Sequence, residues 1–334
     1  MIVKKKETSF QQLKLDPPSK KKEKDPKVGR VWVAVSLLIT VGLSGLFWLA
    51  KTVTTNGFEK IRIKKIAVSF PAVNFSSEQK SSFGFSQNSA GEIAKLIETN
   101  LTDKDGDWSV KVTDLESGFS VQSQSENKVV ADSLIKLPVV ALAYKQVEEG
   151  KLSLEDSFEV LKGDIQSETA GSLQYQSGEE ISLSRLLFLS LNQSDNTAFT
   201  VLRRVLGDSA IQEDINRIGM SSTSLADNTT SANDIDLFFQ KLYKGEIIKK
   251  YKDDYIIELI EVLPGARISA SVPEGVKVAH KVGSDTEAVF DAGIVFVPEK
   301  PFVLTILSRG ADRQSADQTI SQLTEKIYWF IVSD

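Results

Sequence analysis

Residues 133–150 carry the strongest structural signal in the chain and read Ser133-Leu-Ile-Lys-Leu-Pro-Val-Val-Ala-Leu-Ala-Tyr-Lys-Gln-Val-Glu-Glu-Gly150. Apolar residues recur at helical spacing from Leu134 to Glu149, and a glycine such as Gly150 is typical of a helix end. Pro138 is compatible with this helix because it lies near the first turn. The stretch therefore predicts a long buried helix that begins at a serine.

Ser133 and Lys136 stand at the start of this helix, three residues apart. That spacing predicts a hydroxyl and an amine on one helix face, one turn apart. A serine becomes a nucleophile when a neighbouring base accepts its proton, and burial lowers the pKa of a lysine so that it can be that base. The alternative is structural: Asp132 or Ser133 caps the helix and Lys136 is solvated.

The Ser-x-x-Lys pattern is a weak signal by itself because it occurs four times in the sequence. It begins at Ser19, Ser77, Ser125 and Ser133. The last of the four is the one that begins a long apolar helix, which makes Ser133 the candidate nucleophile.

Ser194-Asp195-Asn196 is a polar tripeptide between two apolar stretches, 183–191 and 196–206, which predict buried helices. Buried polar groups cost free energy unless they have partners, so the tripeptide indicates either a site or a helix cap. The same residues can serve both purposes.

Lys281-Val282-Gly283 lies in a predicted strand, where a glycine lets another backbone approach closely and the lysine attracts a carboxylate. The order of predicted elements indicates an α/β fold, with a sheet built from both chain ends and helices inserted between them. The strands are predicted at 108–115, 120–124, 277–283, 288–297 and 302–308, and a closing helix at 318–332.

Taken together and in this order, the three motifs resemble the S-x-x-K, S-D-N and K-T-G set of class A β-lactamases and penicillin-binding proteins. The resemblance covers about residues 89–334 and implies a β-lactamase-like domain, with an antiparallel sheet flanked by helices and an all-helical subdomain. It also implies a covalent acyl-serine intermediate formed with a β-lactam or a D-alanyl cell-wall peptide. The implied catalytic residues are Ser133, Lys136 and Ser194, and the implied substrate-binding residues are Asn196, Lys281, Gly283 and Ser284. The backbone N–H groups of Ser133 and Ser284 would form the oxyanion hole.

The sequence departs from the family pattern at three places. Val282 replaces a hydroxyl residue that binds the substrate carboxylate, and the strand after Gly283 lacks an arginine that family members often place there. The segment between Gly219 and Thr229 lacks the Glu that activates the deacylating water. We therefore expect acylation of Ser133 with slow hydrolysis of the acyl-enzyme; the alternative is a non-catalytic module that binds peptidoglycan or a partner.

Composition excludes several other kinds of site. The chain has no cysteine and one histidine, His280. This excludes a disulfide scaffold, a thiol nucleophile and almost any zinc site, so no metal and no cofactor are expected.

The N-terminal fifty residues predict a membrane anchor. Residues 1–30 contain ten Lys or Arg and four acidic residues, and residues 31–50 form an uncharged apolar run of bilayer length. Since basic flanks stay in the cytoplasm, we expect a single-pass protein of the cell membrane with a cytoplasmic tail and an extracytoplasmic domain. A cleaved signal peptide is the alternative, disfavoured by the length of the run. Residues 51–88 are predicted to form a stalk. The lipid bilayer is the predicted partner of residues 31–50, and no nucleic-acid partner is predicted.

Overall fold

The computed structural model describes residues 87–166, 175–260, 262, 267–284 and 286–333. The chain divides into the units Met1–Gln79 and Lys80–Asp334, and all described residues belong to the second. The predicted tail, membrane segment and nearly all of the stalk lie outside the described residues. No helix among the described residues is long and apolar enough to cross a membrane.

The framework of the domain is a five-stranded antiparallel sheet in the order β2-β1-β9-β8-β7. The first two strands along the chain and the last three form it, which confirms the predicted sheet from both chain ends. Strand β7 lies at one edge, with its outer side unpaired by any described strand. The strands are β1 (Asp107–Asp114), β2 (Ser120–Ser123), β3 (Val129–Val130), β4 (Ser157–Glu159), β5 (Glu180–Ser182), β6 (Thr229–Thr230), β7 (Lys277–Ser284), β8 (Ala288–Phe296) and β9 (Phe302–Arg309).

The helices divide between two apolar cores because side chains alternate between the faces of the sheet. One core joins the first and last helices to one face, through residues such as Ile97, Val112 and Ile327. The other joins the inserted helices to the opposite face, through residues such as Leu137 and Ala292. The helices are α1 (Gln87–Leu101), α2 (Lys136–Glu148), α3 (Leu183–Leu191), α4 (Asn196–Leu206), α5 (Asp208–Ile218), α6 (Ala232–Tyr243), α7 (Lys252–Ile260), α8 (Arg267–Ala270) and α9 (Arg313–Ser333).

The start of the nucleophile helix differs from the prediction. A short 3-10 turn, Asp132–Ile135, precedes α2, so Ser133 lies in this turn and Lys136 is the first residue of the α-helix. Asp132 has φ +45°, a left-handed conformation that Asp and Asn tolerate better than most residues. The chain therefore bends sharply just before Ser133 instead of entering a regular helix there.

Two further boundaries differ from the prediction. Helix α1 begins at Gln87, two residues before the expected start of the β-lactamase-like region at about residue 89. Helix α9 begins at Arg313, five residues earlier than predicted.

A small ladder brings the segment after α5 to the nucleophile turn. Val129 in β3 pairs with Thr230 in β6, and Ala131 N donates to Asn228 O at 2.8 Å. The sequence analysis did not predict this ladder, because strands of two residues carry no periodic signal. It places residues 228–230 beside the segment that leads into the nucleophile turn.

Candidate active site

The three motifs meet at the hydroxyl of Ser194. Ser194 Oγ donates to Ser133 Oγ at 2.9 Å, although the two residues are 61 positions apart in the chain. Ser194 has φ +56°, also left-handed, and lies in the turn between α3 and α4. The second motif thus presents its serine directly to the candidate nucleophile.

Lys136 is buried and faces the second motif. Its Nζ donates to Ser194 O and to Asn196 Oδ1, both at 2.6 Å, and lies 3.4 Å from Ser194 Oγ. Burial lowers the pKa of Lys136 to about 8, against the opposing negative charges of Asp132 and Asp195. A minor fraction of this amine, about a tenth at pH 7, is therefore unprotonated.

Lys281 reaches the same serine from the sheet. It is fully buried on β7, and its Nζ donates to Ser194 Oγ at 2.9 Å. Burial and the positive charge of Lys136 lower the pKa of Lys281 to about 7, while the charge of Asp132 opposes them. Two lysines with depressed pKa values therefore lie at one hydroxyl, which is typical of functional sites.

Asp195 holds the turn that presents Ser194. Its side chain accepts a hydrogen bond from Ala198 N at 2.8 Å and caps α4, whose first residue is Asn196. The structural interpretation of the tripeptide is confirmed at Asp195, and this cap positions the residues on either side of it, Ser194 and Asn196.

Gly283 allows β7 to lie against the nucleophile turn. A Cβ atom at this position would lie 3.0 Å from Asp132 Oδ2 and 3.7 Å from Ser133 N. A methyl group here would require the Asp132 carboxylate to move by a few tenths of an ångström, whereas its contact with the Ser133 amide would be an ordinary one. Ser284 follows at the end of β7, and its Oγ accepts a hydrogen bond from Arg313 Nη2 at 3.0 Å.

Arg267 is a site-adjacent residue that the sequence analysis missed. Its Nη1 donates to Gly283 O at 3.2 Å and to Phe290 O at 2.6 Å, and its Nε binds Asp317 Oδ1 at 2.6 Å. The family pattern places an arginine in the strand after Gly283, whereas Arg267 comes from the short helix α8. Arg267 has φ +37°, a positive backbone angle that the sequence does not reveal.

The carboxylates near the segment after α5 are engaged in holding that segment. Buried Asp234 accepts from Ser222 N at 2.8 Å and from Thr223 Oγ1 at 2.7 Å. Exposed Asp227 accepts from Ser224 Oγ at 2.9 Å. Burial raises the pKa of Asp234, the opposite of what these hydrogen bonds favour. Both carboxylates therefore bond to residues 222–224 and stabilise the local structure of that segment.

A hydroxyl bonded to a second hydroxyl and two buried amines has the composition of an acyl-transfer site. A family model described as "Beta-lactamase enzyme family" matches residues 88–331, which is most of the chain. The chain belongs to this β-lactamase family. The match confirms the resemblance inferred from the three motifs.

Individual relatives agree with the family assignment. The chain is 27% identical to the extended-spectrum β-lactamase PER-1 of Pseudomonas aeruginosa over 232 residues, 61% of this chain and 75% of PER-1. The structure of the β-lactamase TLA-1 superposes with a TM-score of 0.68 at 22% identity, covering 74% of this chain and all of that one. A mutant of PBP-A, in an acyl-enzyme complex with penicillin G, superposes with a TM-score of 0.65 at 24% identity, covering 74% and 97%. These superpositions show a shared fold.

Proposed function

We propose that this domain is a serine hydrolase that forms an acyl-Ser133 intermediate with β-lactams or D-alanyl cell-wall peptides. The observation that carries the proposal is the hydrogen-bonded chain from Ser133 Oγ through Ser194 Oγ to Lys281 Nζ, at 2.9 Å in each step. The penicillin acyl-enzyme of the structurally similar PBP-A mutant supports the choice of substrate class.

Acylation follows from this chain of groups. Ser133 Oγ attacks the amide carbonyl carbon, its proton passes to Ser194, and the Ser194 proton passes to an unprotonated lysine amine. The C–N bond then breaks as the leaving nitrogen takes a proton from Ser194, the lysine returns its proton to Ser194, and Ser133 is left as an ester. With pKa values of about 7 and about 8, Lys281 and Lys136 can both supply the free amine at neutral pH.

Substrate binding involves the remaining predicted residues. Asn196 Oδ1 accepts from Lys136, so its Nδ2 group can donate to a substrate carbonyl. The N–H groups of Ser133 and Ser284 bind the oxyanion, and Gly283 lets the substrate backbone lie along the open edge of β7.

Slow deacylation is part of the same proposal. Hydrolysis of the ester needs a base for water, and three described carboxylates on or beside the segment after α5 already have other hydrogen-bond partners. Asp234 and Asp227 hold the segment itself, and exposed Glu213 lies on α5 beside Ser209. The acyl-enzyme is therefore expected to persist, as in a penicillin-binding protein.

We further propose that residues 31–50 anchor the chain in the cell membrane and place the domain outside it. The uncharged run and the basic flank support this arrangement. Full-length chain is expected in the membrane fraction after carbonate washing, and a chain lacking residues 1–50 in the soluble fraction. Recovery of the intact full-length chain in the soluble fraction would refute the anchor.

A fluorescent penicillin tests the catalytic proposal on the full-length chain. We expect covalent label on the wild type that lasts for hours, and none on Ser133→Ala. The matched control is Ser125→Ala, which removes the serine of the other described Ser-x-x-Lys copy and keeps the label. An unlabelled wild type favours the binding-module alternative, and label that is lost within seconds contradicts slow deacylation.

A further inference from the structure

A carboxylate lies between the nucleophile turn and β7. Asp132 directly precedes Ser133, and its Oδ2 lies 3.0 Å from the point where a Cβ on Gly283 would stand. The backbone N of Ser133 is 3.7 Å from the same point. The negative charge therefore sits beside the amide that, in the proposed function, binds the oxyanion.

Among the described residues, the other charges around this point are of both signs, and Arg267 is paired with the Asp317 carboxylate. Lys136 comes from α2 and Lys281 from β7, and Arg267 and Arg313 bind the Gly283 carbonyl and the Ser284 hydroxyl. Asp195 is the second nearby carboxylate, and it caps α4. The Asp132 charge raises the pKa of Lys136 and of Lys281, in opposition to burial.

Two consequences of this charge act in the same direction. A negative charge that stabilises the ammonium forms leaves fewer free amines to accept the Ser133 proton. A negative charge beside the Ser133 amide also repels the oxyanion that forms on the attacked carbonyl. Each effect slows the formation of the bond between Ser133 Oγ and the carbonyl carbon.

We propose that Asp132 sets the rate of acyl transfer, its carboxylate acting as an electrostatic restraint between the nucleophile turn and β7. This inference rests on the proposed function of Ser133 and adds a residue outside the three motifs. Asp132 does not touch the reacting atoms in this proposal. Its charge acts on Lys136, Lys281 and the Ser133 amide.

Asp132→Asn tests the restraint with little change in shape. Asparagine has the same size and tolerates the left-handed φ of this position, so the turn is expected to keep its geometry. Asp132→Gly is the second variant, because glycine adopts the same φ without strain. Asp227→Asn, at an exposed carboxylate of the segment after α5, is the matched control for loss of one negative charge.

The measurement is the rate of labelling by fluorescent penicillin on the full-length chain between pH 6 and 9. We expect both Asp132 variants to label at least fivefold faster at pH 7, with the rise in rate displaced to lower pH. The sign follows because removing the negative charge lowers the lysine pKa values further, so free amine appears at lower pH. At pH 9 the lysines are largely unprotonated in every variant, and the remaining rate ratio measures the effect on the oxyanion.

Several outcomes would overturn the inference. Equal or slower labelling by folded Asp132→Asn and Asp132→Gly, with an unmoved pH profile, refutes it while Ser133-dependent label on the wild type keeps the proposed function. An equal acceleration by Asp227→Asn would show a general charge effect and would also refute it. Absence of label on the wild type and on all variants refutes the proposed function, and this inference with it.

Discussion

Lys281 and Lys111 occupy one row of the same sheet face but have opposite surroundings. The register pairs Lys281 with Ala292, Ala292 with Thr305 and Thr305 with Lys111, so the two lysines stand at opposite ends of one cross-strand row. Lys281 faces Ser194 and a second lysine. Among the described residues, no carboxylate lies within salt-bridge distance of its Nζ.

Lys111 lies within salt-bridge distance of a carboxylate, which Lys281 does not among the described residues. Its Nζ donates to Asn233 Oδ1 and lies 3.8 Å from Asp236 Oδ2 on α6. Thr113 donates to the same carboxylate at 2.9 Å. Burial raises the pKa of Asp236 to about 6, with the charge of Lys111 opposing it. The buried Lys111 is paired with a carboxylate and stabilises the fold, whereas the buried Lys281 is bonded to a serine hydroxyl and is, in our proposal, available for chemistry.

The largest effect is expected from Lys281→Met. The change keeps an unbranched apolar stem and removes the amine bonded to Ser194. We expect penicillin labelling to fall at least about 100-fold, within the range for loss of a proton-transfer group. The free energy of unfolding should not fall, because a desolvated charge is removed. Labelling within threefold of the wild type would show that Lys136 alone accepts the proton.

Lys111→Met is the matched variant at the other end of the row. It leaves the Asp236 carboxylate buried without its cation, so we expect a loss of roughly 3 kcal/mol in the free energy of unfolding, measured by urea denaturation at pH 7. The folded fraction should label at the wild-type rate. A stable Lys111→Met protein with impaired labelling would contradict the separation of the two lysines.

The smallest effect is expected from Thr113→Val. This change removes one hydrogen bond to Asp236 and keeps the shape of the side chain, so we expect a loss of about 1 kcal/mol in unfolding free energy. Labelling should stay unchanged. A loss in Thr113→Val as large as that in Lys111→Met would mean that the hydroxyl, and not the cation, stabilises the carboxylate.

Particular residues show how far sequence reasoning reached. The helix after Ser133, the sheet from both chain ends and the residues of the three motifs followed from local patterns, because each pattern is written in neighbouring positions. Arg267 and Asp132 did not follow, since their importance comes from the elements that pack against them. Arg267 binds the carbonyl of Gly283, which is 16 residues away in the chain. Asp132 comes close to Gly283 only because β7 packs against the nucleophile turn.

The sequence by itself determined the family, the order of the elements and the side chains available for chemistry. Tertiary structure decided which amine meets which hydroxyl. Ser133 and Ser194 are 61 residues apart in the chain, and Lys281 and Ser194 are 87 apart. No local pattern in the sequence between them predicts either contact. The pKa of each lysine depends on burial and on charges from other elements, so the same residue type on one sheet row is structural at Lys111 and, in our proposal, reactive at Lys281.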